Sequence, residues 1–289
     1  DKEENGTTLA IRRLGEEFEQ LRLRTEESGK RPRAFMLTIG NLAMRQARAQ
    51  FSCNFLATAG HEVIDNLGFK SVEEGVDAAM EARKKWEKVD WIDRCSIMMK
   101  AAELIATKYR YVINASTMLG QGKNPFQAEI DSACETIDFL RFNAYYASKI
   151  YAQQPLSDSS AINRLEYRPL EGFVYAVSPF NFTSIACNLN IAPVLMGNVT
   201  VWKPATTAIL SNYYLMKILQ EAGVPDGVIN FLPGSGSTIS DVVFASPDFA
   251  GVHFTGSTRT FNNFWKAIGD NINNYKTYPK IVGETGGKD

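Results

Sequence analysis

The feature that most constrains the fold is a regular alternation of short apolar runs with helical segments after residue 163. Each run is rich in β-branched or aromatic residues and is followed by a turn that contains Gly, Pro, Ser or Asn. The runs lie at residues 173–177, 198–202, 227–231, 251–255 and 281–282. One helix between successive strands indicates parallel pairing, with helices on both faces of the sheet. The sequence therefore predicts an α/β fold with a doubly wound parallel sheet, whose ligands bind beyond the carboxyl ends of the strands.

Helical segments precede this sheet. Residues 82–160 are almost wholly helical in pattern, because their apolar residues recur at intervals of three and four. Residues 161–289 form the sheet domain that follows. The predicted helices lie at 93–107, 109–119 and 127–150, with a Gly-rich break at 120–125.

The residues before 82 divide into two parts. Residues 1–32 are dense in charge and predict an amphipathic helical arm, which ends near Ser28 and Gly29 and either packs on the body or docks a partner. Residues 33–81 predict a partial β-α-β-α unit of the flavodoxin type. Its elements are strands at 34–39 and 62–66, a helix at 41–59, and a helix at 71–80 that a capping box of Ser71 and Glu74 opens.

Composition and charge exclude several classes of function. The chain has 31 basic and 32 acidic residues and a net charge of -1, so it lacks the positive balance typical of a nucleic-acid partner. No apolar run reaches the ~18 residues of a membrane span. The four cysteines are far apart and only two histidines are present, so we expect neither a metal site nor a disulfide framework. We expect a reducing compartment, the cytoplasm or, in a eukaryote, the mitochondrial matrix.

Four motifs follow the predicted strands in order and carry a resemblance. They are Ser-Pro-Phe-Asn-Phe at 178–182, Trp-Lys-Pro at 202–204, Phe-Thr-Gly-Ser at 254–257 and Gly-Glu-Thr-Gly-Gly-Lys at 283–288. Together they resemble the aldehyde dehydrogenase superfamily, over residues 82–289. The runs at 120–123, 127–131 and 138–143 narrow the resemblance to the 1-pyrroline-5-carboxylate dehydrogenases of that superfamily. The resemblance implies a Rossmann-like NAD-binding domain and the oxidation of glutamate semialdehyde to glutamate in proline catabolism.

Three residues are candidates for the chemistry. The side-chain amide of Asn181 is a donor suited to a developing oxyanion, although Asn is also an ordinary turn residue. The carboxylate of Glu284 follows a strand and suits a general base for water, or is a solvated charge. The resemblance implies these two catalytic roles. It also implies that Glu129 lies beside the aldehyde site, the alternative being a charge on a helix surface.

The resemblance further implies a set of residues that bind NAD. Lys203 follows a strand, where its charge can meet a ribose hydroxyl or a phosphate. Ser257 stands at a helix start, which favours a pyrophosphate or is an ordinary helix cap. Ser240 stands where the family often has Gly, and Thr206 stands where many members have a ribose-binding Glu. The implied NAD-binding residues are Ser178, Pro179, Phe180, Lys203, Gly236, Thr255, Gly256 and Ser257.

The chain departs from the family at its nucleophile. The catalytic Cys of the family lies beyond the motif at 283–288, and none of the cysteines in this chain follows Glu284. From this we expect a chain that is truncated at the crossover to the catalytic domain and inactive alone, with a small-molecule aldehyde as the substrate of the family. Exposed apolar surface on such a chain favours self-association, as a homo-oligomer or otherwise.

The beginning of the chain carries a second resemblance. Residues 31–40, 47–51 and 62–69 resemble the start of the cobalamin-binding-type domain of the methylmalonyl-CoA mutase family, particularly its small subunit. The DxHxxG loop that ligates cobalt there is missing, so we expect no cobalamin. We interpret the chain as a fusion of two truncated proteins or as a mis-assembled gene. The alternative function is that of a non-enzymatic interaction subunit or scaffold related to the mutase small subunit.

Overall fold

The computed structural model describes residues 16–29, 33–36, 62–65, 69 and 71–286 of the 289-residue chain. Contacts between residues divide the chain into two compact units, Asp1–Lys70 and Ser71–Asp289. Within the described residues, no helix is both long enough and apolar enough to span a bilayer.

The first unit contains a helix and a pair of strands. Helix α1 spans Glu16–Glu27 and is followed by Gly29 at φ +64°, so the helix ends at the left-handed glycine that the sequence predicts. Strand β1, Arg33–Met36, pairs in parallel with strand β2, Glu62–Asp65. The predicted helix at 41–59 and the beginning of the arm lie outside the described residues.

The second unit opens with a layer of helices. Ser71 caps the first of them, because its side-chain oxygen accepts the N–H of Glu74 at 3.3 Å. This helix runs to Trp86, whereas the sequence predicts an end at Met80. The helices of the layer are α2 Val72–Trp86, α3 Trp91–Leu104, α4 Arg110–Gln121, α5 Pro125–Ala128 and α6 Thr136–Tyr151.

Two π-helical stretches interrupt this layer. Ile105–Tyr109 joins α3 to α4, and Glu129–Glu135 joins α5 to α6. Gly122 lies at φ +66° directly after α4, within the break that the Gly-rich sequence predicts. π-Helical turns are rare and are frequent at functional sites. The sequence therefore predicts the helices of this layer but not these wider turns.

A five-stranded parallel sheet forms the rest of the second unit. Its elements are β3 Phe173–Val177, α7 Thr183–Leu195, β4 Val199–Lys203, α8 Ile209–Ala222, β5 Ile229–Phe231, α9 Gly236–Ala245, β6 Phe249–Gly256, α10 Thr258–Asp270 and β7 Lys280–Thr285. The strand order is β5-β4-β3-β6-β7. The chain thus moves outward from β3 in one direction and then returns to add β6 and β7 on the other side. This order confirms the predicted doubly wound α/β fold.

Helix α2 belongs to the sheet domain. It packs on β3, β4, β5 and α9. The backbone of Gly227 approaches it so closely that an added Cβ would lie 2.8 Å from the carbonyl oxygen of Ala78. Val76 and Ala79 of this helix are buried. The contacts therefore place the division of the chain after Lys70, whereas the sequence pattern assigns the first turns of α2, up to residue 81, to the N-terminal unit.

The central strands of the sheet are buried. All of β3 is buried, and so are Val201 and Trp202 in β4. Near-continuous apolar strands are typical of a parallel sheet that helices cover on both faces. Strand β7, at one edge, is mostly exposed. The buried strands form a rigid base for the turns that follow their carboxyl ends.

Candidate functional site

The carboxyl ends of the strands bring the predicted site residues to one edge of the sheet. In the strand register Val177 lies opposite both Lys203 and Phe254, and Thr255 lies opposite Glu284. The chain leaves β3 towards β4 and later returns beside β3 as β6, so a switch point lies between β3 and β6. Doubly wound sheets bind their ligands in the crevice at such a point.

The turn after β3 carries Ser178, Pro179, Phe180 and Asn181. Ser178 is buried, and its hydroxyl oxygen accepts a hydrogen bond from Nε1 of Trp202 at 3.0 Å. Pro179 is also buried, whereas Phe180 and Asn181 are exposed. The first half of the turn is therefore fixed to the sheet, and the second half presents the Asn181 amide to solvent.

Lys203 ends β4 and is partly buried. A Cβ added to Gly236 would lie 4.0 Å from Nζ of Lys203, so the ammonium lies beside the first residue of α9. Burial lowers the pKa of Lys203, and no carboxylate among the described residues opposes this effect. The lysine and the positive end of α9 together favour an anionic or electron-rich group at this point.

Ser240 lies in α9 and is buried. Its hydroxyl is 3.0 Å from the hydroxyl of Tyr175 in β3, and either group can donate. Ile239 stands where a GxGxxG motif needs its third Gly, and a Cβ added to Gly234 would lie 3.3 Å from it. The Ser240 side chain, which stands where the family often has Gly, connects α9 to the sheet through its contact with Tyr175.

Replacing Ser240 by Ala is expected to lower the free energy of unfolding by about 1–3 kcal/mol, because the buried Tyr175 hydroxyl loses its partner. Chemical denaturation followed by circular dichroism measures the loss. Tyr175→Phe is the matched control, and the double variant is expected to recover part of the loss because no buried hydroxyl is left alone. Strictly additive losses would show that the two hydroxyls do not interact.

Strand β6 and helix α10 place Thr255, Gly256 and Ser257 at the same edge. The Ser257 hydroxyl caps α10 by accepting the N–H of Thr260 at 3.2 Å. A Cβ added to Gly256 would lie 2.7 Å from the ring of Phe254, so only glycine fits here without a shift of that ring. The capping role of Ser257 leaves other N–H groups of the first turn of α10 for an anionic ligand.

Glu284 lies on β7 and is exposed. Its Oε2 accepts a hydrogen bond from the Thr255 hydroxyl at 3.1 Å. This contact links the ends of β6 and β7, so the carboxylate lies at the edge that also carries Lys203. Its exposed carboxylate has the access to water that a general base for water needs.

Glu129 lies on the π-helical stretch between α5 and α6, within the helical layer. Arg110 donates to one of its carboxylate oxygens, and the side-chain amide of Asn114 donates to the other at 2.6 Å. Burial acts to raise the pKa of Glu129, but these two donors together outweigh burial and lower it. Glu129 is therefore a carboxylate kept ionised by fixed partners, which differs from a solvated charge on a helix surface.

The sequence profile of the aldehyde dehydrogenase family matches residues 62–289. The chain belongs to the aldehyde dehydrogenase family. The match includes β2 and the whole of α2, so it extends further towards the N-terminus than the motifs at 82–289 indicate. The expectation that the first eighty-one residues fall outside this family is therefore wrong for residues 62–81.

Individual members of the aldehyde dehydrogenase family resemble the chain over about three quarters of its residues. It is 56% identical to the probable delta-1-pyrroline-5-carboxylate dehydrogenase of Schizosaccharomyces pombe over 224 residues, which are 76% of this chain and 41% of the relative. It is 48% identical to the mitochondrial delta-1-pyrroline-5-carboxylate dehydrogenase of Homo sapiens over 217 residues, 75% of this chain and 38% of the relative. The delta-pyrroline-5-carboxylate dehydrogenase of Mycobacterium tuberculosis, solved with NAD bound, matches with a TM-score of 0.75 and 50% identity, over 78% of this chain and 42% of that chain. The chain thus spans less than half of the length of these relatives.

The described cysteines of this aldehyde dehydrogenase family member are poor nucleophiles. Cys187 is buried in α7, and burial raises its pKa to about 12. Burial also raises the pKa of Cys95 and of Cys134. A cysteine attacks as the thiolate, so these thiols are protonated and unreactive near neutral pH.

The structure adds site residues to which the sequence pattern assigns no role. Arg110 and Asn114 lie four positions apart on one face of α4 and meet at Glu129. A spacing of four residues can be read from the sequence, and it indicates that Arg110 and Asn114 share one face of a helix. Lys123 and Asp131 form an ion pair of 2.7 Å across the start of α5, and no helical spacing indicates this contact.

Proposed function

We propose that residues 71–286 are the NAD-binding portion of a 1-pyrroline-5-carboxylate dehydrogenase. The observation that carries the proposal is the ammonium of Lys203, which lies beside the first residue of α9 at the carboxyl edge of the sheet. The 56% identity to the enzyme of S. pombe supports the proposal, and so does the NAD bound in the M. tuberculosis structure.

The residues at this edge fit a dinucleotide. Gly236 has no side chain to separate the start of α9 from Lys203, so a ribose hydroxyl or a phosphate can approach both. Gly256 and Ser257, at the start of α10, are assigned to the pyrophosphate because helix N-termini bind anions. Thr255 and the turn formed by Ser178, Pro179 and Phe180 are assigned to the rest of the surface that contacts the cofactor.

The proposed reaction of the whole protein is the oxidation of glutamate semialdehyde to glutamate. NAD, when bound, supplies the hydride acceptor. The nucleophile is the catalytic cysteine of the family, whose thiolate adds to the carbonyl carbon, and the Asn181 amide donates a hydrogen bond to the oxygen that becomes negative in that step. After the hydride has left, Glu284 takes a proton from the water that hydrolyses the resulting thioester, which releases the acid product and frees the thiol. Glu129, kept ionised by its two donors, is assigned to the aldehyde side of the site.

The 289-residue chain is expected to bind NAD but not to reduce it with glutamate semialdehyde. Burial raises the pKa of each described cysteine, and Cys53 precedes the residues that match the family, so we expect none of the four to supply the attacking thiolate. Calorimetric titration measures NAD binding, and the absorbance of reduced nicotinamide measures turnover. Turnover above that of a heat-inactivated sample would contradict the expected inactivity, and the lack of saturable heat would contradict NAD binding.

For residues 1–61, which the family match does not cover, we propose an interaction scaffold related to the mutase small subunit. Strand β1 lies in this segment and pairs in parallel with β2, which begins the family match. The NAD titration discriminates between the two functions. A folded chain without NAD affinity would favour a non-enzymatic role for the whole chain.

We propose that the protein works in the mitochondrial matrix or the cytoplasm. The name of the human relative includes its mitochondrial location. Cys95, Cys134 and Cys187 are free thiols, which suits a reducing compartment. Self-association of the chain remains a prediction from its sequence.

A further inference from the structure

Asp131 is buried, and both of its carboxylate oxygens accept hydrogen bonds. Oδ1 accepts from the N–H of Ser184 at 3.0 Å. The Ser184 hydroxyl lies 2.9 Å from this oxygen and 2.9 Å from Oε2 of Glu135, so the two carboxylates share its single proton. Oδ2 accepts from the N–H of Thr183 at 3.0 Å and from Nζ of Lys123 at 2.7 Å. The buried charge is therefore matched by one cation, by two backbone N–H groups and by a hydroxyl that it shares with Glu135.

These donors belong to the segment that directly follows Asn181. Thr183 and Ser184 are the first two residues of α7, and Phe182 before them supplies no side-chain cap. A helix start is usually capped by the side chain of the residue that precedes it. Here the cap comes from Asp131, on the π-helical stretch of another layer. A residue of the helical layer therefore caps the start of α7, and the turn before α7 supplies no side-chain cap.

Lys123 connects the same carboxylate to the residue beside Asn181. Its Nζ lies 4.0 Å from the centroid of the Phe182 ring while it pairs with Asp131. The Lys123 side chain is only 15% exposed, so water screens neither interaction strongly. One ammonium therefore joins the Phe182 ring to the carboxylate that caps α7.

The other end of α7 is held by a cation. Arg94 is buried and donates to the carbonyl oxygen of Leu195, the last residue of the helix, at 2.8 Å. An anion at the N-terminus and a cation at the C-terminus both complement the helix dipole. Helix α7 is therefore fixed at both ends. At its first residue, Asp131 holds the backbone N–H, and the Thr183 hydroxyl is held separately by hydrogen bonds with the side chains of Thr117, Gln121 and Ser211.

We propose that Asp131 and Lys123 are positioning residues that fix the backbone of Asn181 and Phe182, and hence the direction of the Asn181 amide. The proposal rests on the proposed function, because it concerns the oxyanion donor assigned there. A donor stabilises a developing oxyanion only if its place is fixed before the reaction. Asn181 is exposed on a turn, so its position depends on the buried Ser178 and Pro179 before it and on the buried start of α7 after it.

Asp131→Asn in the 289-residue chain tests the capping part of the proposal. In either orientation the new NH₂ group faces two donors, which are those of Ser184 or those of Thr183 and Lys123. We expect the amide hydrogens of Thr183 and Ser184 to exchange with solvent at least about tenfold faster, because each loses a hydrogen bond to a charged group. Residue-resolved hydrogen exchange by NMR measures this change.

Backbone relaxation of the same variant tests the positioning part. We expect the NMR order parameters of Asn181 and Phe182 to fall below the ~0.85 of a rigid backbone, because the N–H groups that follow them lose their carboxylate cap, while the hydrogen bonds of the Thr183 hydroxyl keep α7 in place. A residue that only stabilised the fold would change the unfolding midpoint and leave these order parameters unchanged. The measurement therefore separates positioning from stability.

Matched variants control for charge and for local structure. Asp138→Asn removes an exposed carboxylate from the helix that follows and is expected to change neither exchange nor order. Lys123→Met removes the ammonium and is expected to lower the order parameter of Phe182. Lys123→Arg keeps a cation and is expected to restore most of that order.

If Asp131→Asn fails to fold, the Lys123 variants carry the test, because the donors of Thr183 and Ser184 to Asp131 are unchanged in them. Unchanged order parameters at Asn181 and Phe182 in the folded variants would overturn the proposal and leave Asp131 as a helix cap. The proposed function fails separately, if the unmodified chain does not bind NAD, since relaxation and exchange are measured without NAD.

Discussion

A chain shortened to begin at Ser71 is expected to unfold cooperatively and to bind NAD as the full chain does, whereas a chain that begins at Ala82 is expected to lose its cooperative transition. Removing residues 71–81 takes away buried Val76, and it uncovers Leu232, which packs against the start of α2. Losing the burial of these two side chains alone costs about 3–6 kcal/mol, a large part of the ~5–15 kcal/mol that stabilises a domain.

What remains of α2 in the shorter chain is a stub, Ala82–Trp86. Helices of fewer than ~12 residues are marginal by themselves. This stub keeps two side-chain hydrogen bonds to distant backbone, from Nε of Arg83 to the carbonyl oxygen of Leu170 at 3.1 Å and from Nε1 of Trp86 to the carbonyl oxygen of Val194 at 2.9 Å. Thermal and chemical unfolding of the two chains, followed side by side by circular dichroism, measures the difference. Equal midpoints and equal steepness would show that the first turns of α2 are dispensable, as the sequence pattern implies.

The sheet and its ligand-binding edge can be predicted from the sequence because parallel strands place their ends together. The predicted strand at 173–177 coincides with β3. Lys203, Thr255 and Glu284 each stand at or near the end of a predicted strand, and all the strands of this sheet run in the same direction. The positions at which the predicted strands end are therefore enough to assign these residues to one edge of the sheet.

The extent of the sheet domain cannot be predicted in the same way. The Ala-rich segment at 76–83 has helical periodicity, and that periodicity does not indicate which sheet the helix covers. The deciding contacts are with Leu232 and Gly227, which are distant along the chain. A helix that begins one domain and a helix that ends another have the same sequence periodicity, and only such long-range contacts distinguish them.

The Asp131 contact cannot be predicted because π-helical turns change the helical period. Glu129–Glu135 has hydrogen bonds that span five residues, so the side chains that share a face differ from those of an α-helix. Asp131 faces the start of α7 in this geometry, while Glu129 faces Arg110 and Asn114. The sequence supplies both carboxylates but not the turn that directs them to different partners.

Replacing Lys203 by Met is expected to weaken NAD binding by about tenfold to a hundredfold, the effect of losing one hydrogen bond to a charged group, ~1.5–3 kcal/mol. Met retains most of the buried aliphatic stem and removes the ammonium, so the packing around the start of α9 is kept. Calorimetric titration of the full chain with NAD measures the change. Lys280→Met is the matched control, because Lys280 is exposed and lies at the opposite, amino end of β7.

The pH dependence of the same titration separates a charge effect from a change in shape. Burial lowers the pKa of Lys203, so its protonated form is lost at a lower pH than that of an exposed lysine. If the ammonium contacts NAD, affinity falls as the pH rises through this lowered pKa, and the Met variant lacks that step. Equal affinity of Lys203→Met and the unmodified chain at neutral pH would remove Lys203 from the site, together with the observation on which the NAD-binding proposal rests.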